Sequence, residues 1–147
     1  MQKRSHRLLA SALLRSQQGF HAKRFELAFL FGSFQPDCNP LTYLKGSWRG
    51  QKLRGHWTMW QYYTLGKLTH YLADAFTYPH NDHFSDSLMD HHRYESDLRL
   101  YLEGYLAQQQ LRMETARRDL TEAIAELHRQ YLSMENSGFG LDVRYIL

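Results

Sequence analysis

The sequence predicts an all-α protein, and three observations support this fold class. Leucine, alanine, glutamine and glutamate are plentiful, and proline occurs only three times in 147 residues. That composition is typical of helical proteins and not of β-sandwiches. Apolar residues recur at helical spacing through long stretches without proline. A chain of this length is large enough for one real core and too short for two sizeable ones, so we expect residues 1–147 to form one domain.

The first forty or so residues predict two helices and a loop. Ser5 is the expected N-cap of a helix from His6 to about Gln17, which Gly19 ends. A second helix is expected from about Lys23 to Phe31, with its apolar segment LAFLF buried. The next segment, GSFQPDCNP, contains glycine, two prolines, aspartate and asparagine. These residue types predict a loop, which carries Asp37. The basic segment LTYLKGSWRGQKLRG follows, and we expect it to be a connection whose tip contacts lipid headgroups.

The rest of the chain is predicted to be helical almost throughout. A helix of about five to six turns runs from about His56 to Phe76 and ends before Pro79. From about Phe84 to Glu135 the apolar stripe continues as one very long helix or a helical pair, with Gly104 as its weak point. The tail NSGFGLDVRYIL indicates a turn and a short apolar end.

Histidines and carboxylates concentrate on predicted helix faces. At about 100° per residue, His70 and Asp74 lie one above the other, and His56 falls about 40° from His70 on the same face. His91 and Glu95 form a second pair, four residues apart on the following helix. Between the two pairs, His80 follows the break at Pro79.

These residue types suit zinc, which takes imidazole and carboxylate ligands when thiolates are absent. Each residue taken alone is better explained as a helix cap, an ion-pair partner or a surface group. As a set they favour a metal site, because several ionisable groups on inward faces are costly to bury unless paired or metal-bound. We expect the remaining histidines to lie at the surface and the aromatic residues of the central helix to be mostly core. The histidines are His21, His83, His92 and His128; the aromatics are Trp57, Trp60, Tyr62, Tyr63 and Tyr71.

Two motifs carry a resemblance to a known family. HYLADAFTYPH followed by HHRYE resembles the zinc-dependent phospholipase C family, whose pattern is His-Tyr, two residues, Asp, then His six residues on, and later His-x-x-Tyr-Glu. The upstream FLFGSFQPD, GHW and SHRLLASALL look like the family's aspartate loop, its next histidine and its early histidine. The likeness extends from about residue 5 to 100.

The resemblance implies a helical bundle of the phospholipase C and single-strand nuclease type, with two or three zinc ions in a cleft. One zinc would take Asp37, His56, His70 and Asp74, and a second would take His80, His91 and Glu95. A third would be shared through Asp74 and held by His6. Asp37 would also be the candidate general base.

Two departures from the family pattern concern substrate and metal count. In secreted members the third zinc is also bound by the amino group of an N-terminal tryptophan, whereas this sequence begins MQKRSH. Cys38 stands where a tyrosine that contacts the headgroup would be expected. Choline-lipid specificity is therefore not implied for this chain.

The predicted function is zinc-dependent hydrolysis of a phosphodiester, possible substrates including phospholipids. The alternatives are a related metallo-nuclease or phosphatase, and a non-catalytic, metal-stabilised protein associated with a membrane. A net charge of +3 weakly favours anionic partners such as phosphate esters or membrane surfaces. With one cysteine and no signal-like segment, we expect a cytoplasmic protein that can be peripheral to a membrane.

Overall fold

A computed structural model describes residues 1–17, 20–38, 57–81, 87–109, 111, 119–134 and 138–147. The all-α prediction is confirmed, because the regular structure of these ranges consists of helices and helical turns. The α-helices are α1 (Lys3–Ser16), α2 (Lys23–Phe34), α3 (Met59–Ala75), α4 (Leu88–Gln108), α5 (Leu120–Ser133) and α6 (Phe139–Ile146). Two 3-10 turns, Gln35–Cys38 and Tyr78–His80, follow α2 and α3. None of the described helices is long and apolar enough to cross a bilayer.

The chain divides into two compact units, and the division falls within α3. The first unit is Gln2–Tyr71, and the second is Leu72–Leu147 together with Met1. The expectation of a single domain over residues 1–147 stays a prediction.

The Gln2–Tyr71 unit is built on the packing of α1, α2 and α3. Ala10, Leu14, Phe29 and Tyr62 form its buried cluster, and aromatic rings such as Phe20 pack against them. Burying such side chains stabilises the unit by about 1.5–3 kcal/mol for each large residue.

Two glycines let α2 and α3 approach closely. A Cβ on Gly32 would collide with the backbone carbonyl of Tyr63, and a Cβ on Gly66 would collide with the carbonyl of Phe29. Any larger residue at either position would therefore push the two helix backbones apart.

The Leu72–Leu147 unit has a core contributed by α4, α5 and α6 and by Phe76, which follows α3. Leu98 and Leu102 of α4 are completely buried, and Val143 of α6 is almost so. Phe76 packs edge-to-face against Tyr131 of α5, with ring centroids 5.6 Å apart. The helix pair predicted for the C-terminal half is thus present as α4 and α5, and the short apolar end forms α6. Gly104 lies inside α4 without ending it.

Three expectations for the N-terminal part are wrong. Ser5 is a buried residue inside α1 and not its N-cap, since the helix begins at Lys3 after Gln2. The predicted loop is helical through Phe34 and continues as a 3-10 turn, because backbone packing against α3 at Gly32 outweighs the local preference of the glycine for a loop. In LAFLF, Phe29 is buried, whereas Leu27 and Phe31 are exposed. Gly19 and the segment LTYLKGSWRGQKLRG lie outside the described residues.

The two units carry charge of opposite sign. Residues 2–71 contain eleven lysines and arginines against two acidic residues, and residues 72–147 contain seven arginines against thirteen acidic residues. The small net charge of the whole chain therefore conceals a basic unit and an acidic unit.

Candidate metal centres

The first candidate centre is formed by His6, Asp37 and His70 of the Gln2–Tyr71 unit. His6 comes from α1, Asp37 from the 3-10 turn after α2, and His70 from the last part of α3. One ligand atom from each lies within 4.8 Å of the others. The structure therefore brings together three side chains that are 31 to 64 positions apart in sequence.

Both histidines face the carboxylate of Asp37. His70 Nε2 lies 3.6 Å from Asp37 Oδ1, and His6 Nε2 lies 4.0 Å from Asp37 Oδ2. The two imidazole rings are stacked, with centroids 3.7 Å apart. His6 and His70 are almost fully buried, and Asp37 is only slightly exposed. These groups are thus fixed by the surrounding helices.

A backbone carbonyl determines the tautomer of His70. Its Nδ1 lies 3.0 Å from the carbonyl oxygen of Ser33, which can only accept a hydrogen bond, so Nδ1 carries the proton. The Nε2 atom is then the nitrogen that faces Asp37. A hydrogen bond from the remote ring nitrogen to a carbonyl is the usual second contact of a metal-binding histidine.

The second candidate centre is formed by His80, His91 and Glu95 of the Leu72–Leu147 unit. Their ligand atoms also lie within 4.8 Å of one another. Glu95 Oε1 is 3.2 Å from His80 Nε2 and 3.1 Å from His91 Nε2. About a quarter of each histidine side chain is exposed, whereas Glu95 is buried. This centre is therefore open to solvent on one side.

Local sequence explains how the second centre is positioned. Ser87 and Asp90 form a capping box, in which the backbone N–H of each donates to the side chain of the other, and α4 begins at Leu88. His91 and Glu95 then follow on successive turns of one face, as predicted. The turn that carries His80 is held by Asn81, whose side-chain amide donates to the carbonyl of Thr77 at 2.9 Å.

Asp74 lies beside this second centre and shares a cationic neighbour with it. The amino group of Met1 is 2.5 Å from Asp74 Oδ1, 2.7 Å from His80 Nε2 and 3.1 Å from Glu95 Oε1. Asp74 Oδ1 is itself 3.8 Å from His80 Nε2. Oxygen and nitrogen atoms from three side chains thus converge on a positively charged group.

Electrostatics keep Glu95 ionised. Burial alone would raise its pKa, but the hydrogen bond from His80, the amino group of Met1 and the nearby His91 together lower the pKa to about 2. A carboxylate that stays charged in a buried position is suited to bind a cation.

Asp142 is a buried carboxylate that the sequence analysis missed. Its oxygens accept hydrogen bonds from the Tyr131 hydroxyl at 2.7 Å, the Tyr94 hydroxyl at 2.9 Å and the Tyr78 backbone N–H at 3.1 Å. Burial raises the pKa of Asp142 despite these donors. Asp142 joins α6 to the turn that carries His80 and to the tyrosine that precedes Glu95. A lone aspartate in the apolar tail GFGLDVRYIL was the only signal for it.

The remaining predictions about histidines and carboxylates divide into three cases. His56 lies outside the described residues. The predicted third site, with Asp74 and His6, draws on both units and stays a prediction. His92 is exposed as expected, and His128 is partly buried, with its ring 5.6 Å from that of Phe76. Helix α5 turns this residue toward the aromatic core.

Each centre offers the ligand set of a catalytic zinc site. Two imidazole nitrogens and one carboxylate oxygen are three protein ligands, a number that leaves a further coordination position open. The donor types and their convergence fit zinc, and thiolate is not needed. Both centres therefore suit a metal that activates water or a phosphoryl group.

Comparison with known proteins agrees with this chemistry. The family described as zinc-dependent phospholipase C matches residues 5–138. The chain therefore belongs to the zinc-dependent phospholipase C family. No curated protein and no solved structure matches it. Family membership supports zinc as the cofactor and a phospholipase C-like function, and α6 lies outside the matched residues.

Proposed function

We propose that this protein is a zinc-dependent hydrolase of phosphodiesters, with a phospholipid-type diester as the substrate. The observation that carries the proposal is the convergence of two separate groups of histidine and carboxylate side chains, each within 4.8 Å. Such sets are unusual without a functional reason, because their members are buried or half-buried and would otherwise cost stability.

The proposed ligands of one zinc are Asp37 and His70, with His6 of the same centre and His56 as further ligands. Those of a second zinc are His80, His91 and Glu95, with Asp74 as a further carboxylate. Zinc bound at these positions would neutralise charge on the phosphoryl oxygens and make water more acidic. The number of ions, two or three, is part of the proposal.

The protein's own groups would position the reactants and move the proton. In hydrolysis the oxygen of a water molecule bonds to phosphorus, and the bond from phosphorus to one alcohol oxygen breaks. Asp37 is the proposed general base that takes the proton of the water, and this proton ultimately goes to the departing alkoxide. His6 and His70 flank Asp37, with their Nε2 atoms 4.0 Å and 3.6 Å from its carboxylate oxygens.

Zinc content and activity together test the proposal. We expect the purified protein to contain two or more zinc ions per chain. We also expect His91→Ala and Asp74→Asn to lose metal and diesterase activity in parallel. His92→Ala is the matched control, since His92 is exposed on the same helix and should keep both. Full activity of the metal-free protein against a phosphodiester would exclude the mechanism.

A panel of substrates separates the alternatives. Lipid, nucleotide and generic diesters, each supplied with added zinc, distinguish the phospholipase-like enzyme from a metallo-nuclease or phosphatase. Bound zinc without turnover of any diester, and with its coordination filled by protein atoms, would instead indicate a metal-stabilised, non-catalytic protein.

A further inference from the structure

The Gln2–Tyr71 unit has a contiguous face of exposed apolar and aromatic side chains. Trp60 is 65% exposed and Phe31 is 53% exposed, although both are large and apolar. The ring of Tyr63 joins them, with its centroid 5.1 Å from that of Trp60 and 5.9 Å from that of Phe31. Leu27 and Met59, each more than half exposed, extend the face along α2 and α3.

The close crossing of α2 and α3 holds this face in shape. Gly32 and Gly66 allow the two backbones to come into contact. Gly32 immediately follows Phe31, and Gly66 lies about one turn after Tyr63. The aromatic rings of the two helices are therefore held side by side. A surface built on such packing is a stable feature of the unit, and exposed apolar side chains that cluster in this way usually mark an interaction site.

Basic side chains border the same face. Lys23 and Arg24 are exposed and lie one helical turn before Leu27 on α2. The Lys67 ammonium lies 6.0 Å from the centroid of the Tyr63 ring. Of the two acidic residues in the unit, Glu26 is paired with Lys23 at 2.7 Å and Asp37 belongs to the first metal centre. The border thus carries an excess of positive charge.

We infer that this aromatic–basic face docks on the surface of an anionic phospholipid bilayer. We define the face as Leu27, Phe31, Met59, Trp60 and Tyr63 with the cations Lys23, Arg24 and Lys67. The apolar side chains would enter the boundary between headgroups and acyl chains, where tryptophan and tyrosine are favoured, and the cations would contact lipid phosphates.

The aliphatic members favour lipid over single-stranded nucleic acid. Nucleic-acid surfaces use aromatic side chains for stacking and basic side chains for phosphates, and the face has both. Leu27 and Met59 have no stacking role, yet they are as exposed as the aromatic residues. Burying them among acyl chains is favourable, whereas the phosphate backbone of a nucleic acid offers them no apolar surface. The inference goes beyond the proposed hydrolysis and does not depend on it.

Binding to vesicles tests the inference directly. The full chain is mixed with vesicles of phosphatidylcholine alone, or of phosphatidylcholine with phosphatidylglycerol, and bound protein is measured by co-sedimentation. We expect binding to the anionic vesicles that weakens as salt is raised. Replacing both Phe31 and Trp60 with serine should reduce it at least about tenfold. Arg24→Gln with Lys67→Gln should reduce it about fivefold or more.

A matched variant controls for the loss of exposed apolar surface in general. Leu88 and Leu100 of α4 are 84% and 55% exposed, and replacing both with serine should leave vesicle binding unchanged. Thermal unfolding of each variant verifies that it is folded. Binding by the Phe31 and Trp60 variant that equals that of the original chain would overturn the inference. Binding of a single-stranded oligonucleotide to this face, without binding of anionic vesicles, would also overturn the inference.

A soluble, short-chain phosphodiester keeps this test separate from the test of hydrolysis. Zinc content and turnover of that substrate should be the same in the docking variants as in the original chain, because none of the changed residues is a proposed ligand or base. Vesicle binding without turnover would contradict the hydrolase proposal alone. Turnover without vesicle binding would contradict the docking inference alone.

Discussion

The two units of the chain each hold a candidate metal centre, but they present it differently. In Gln2–Tyr71, His6 and His70 are almost completely buried and stacked on each other. In Leu72–Leu147, about a quarter of His80 and of His91 is exposed. The ligand types are the same in both centres. The difference shows that one set of side chains can serve as a rigid, internal group or as an open, solvent-facing one, depending on the helices that carry it.

The two units also differ in their net charge. The unit with the buried centre is strongly basic, and the unit with the open centre is acidic. In the basic unit, Asp37 sits between two histidines, whereas in the acidic unit the cationic neighbour of Asp74 and Glu95 is an amino group. We therefore expect mutations in the two centres to differ in their effect on stability even where their effect on zinc is alike.

The largest expected effect is the loss of a ligand from either centre. His91→Ala and His70→Ala should each remove zinc and reduce diester hydrolysis by more than about 100-fold, the upper range for loss of an outer-shell partner. In metal-free protein, His70→Ala should also lower the free energy of unfolding by about 2–4 kcal/mol, because it leaves a cavity and removes the hydrogen bond to Ser33. His91→Ala should lower it by less, about 1 kcal/mol, because His91 is partly exposed and Glu95 keeps its contacts with His80 and the Met1 amino group. Zinc analysis and urea unfolding with chelator measure these quantities, and equal destabilisation would contradict the comparison.

Close helix packing should be essential in the first unit and absent around Gly104 in the second. Gly66→Ala places a methyl group against the carbonyl of Phe29 and should destabilise the protein by about 3 kcal/mol. The methyl group of Gly104→Ala would have no neighbouring atom within 4 Å, and this substitution should stabilise the protein by up to about 1 kcal/mol. Thermal unfolding of the two variants checks both signs. A stabilising Gly66→Ala would show that the helices are not in close contact.

The acidic unit should show two opposite pH dependences in metal-free protein. The pKa of Glu95 falls from 4.5 to about 2 on folding, so its contribution is complete above pH 4.5 and is lost as pH falls from 4.5 toward 2. Folding raises the pKa of Asp142, so the contribution of this residue to the free energy of unfolding decreases as pH rises above 3.8. Urea unfolding across acidic pH should lose the first slope in Glu95→Gln and the second in Asp142→Asn. An unchanged profile in Glu95→Gln would contradict the lowered pKa.

The smallest expected effect concerns the hydrogen bonds that tie α6 to the open centre. Tyr131→Phe removes one donor to a buried carboxylate and should cost about 1–2 kcal/mol of unfolding free energy. Zinc should bind more weakly at the open centre and unchanged at the buried one. Tyr101→Phe is the control, since this ring also lies beside α6 but is 45% exposed, and it should stay within about 0.5 kcal/mol. Identical zinc titrations for both variants would show that α6 does not position the open centre.

The positions of most helices were predictable from the sequence, because apolar periodicity and helix-breaking residues act locally. The long helix that became α3 and the pair His91 and Glu95 followed from spacing alone. The end of α2 was not predictable, since its last turn is helical against the glycine and proline signals nearby. Contact with α3 outweighed those signals, and no local window contains that information.

Spacing within a helix also determined which ligands share a face, and the two family motifs indicated zinc. Which histidine faces which carboxylate was decided only by tertiary structure: His6 lies against Asp37, and Asp142 reaches three donors in distant segments. The physical reason is that a helix repeats every 3.6 residues whatever surrounds it. By contrast, the approach of two helices depends on side chains, glycines and buried hydrogen bonds that are far apart in the chain.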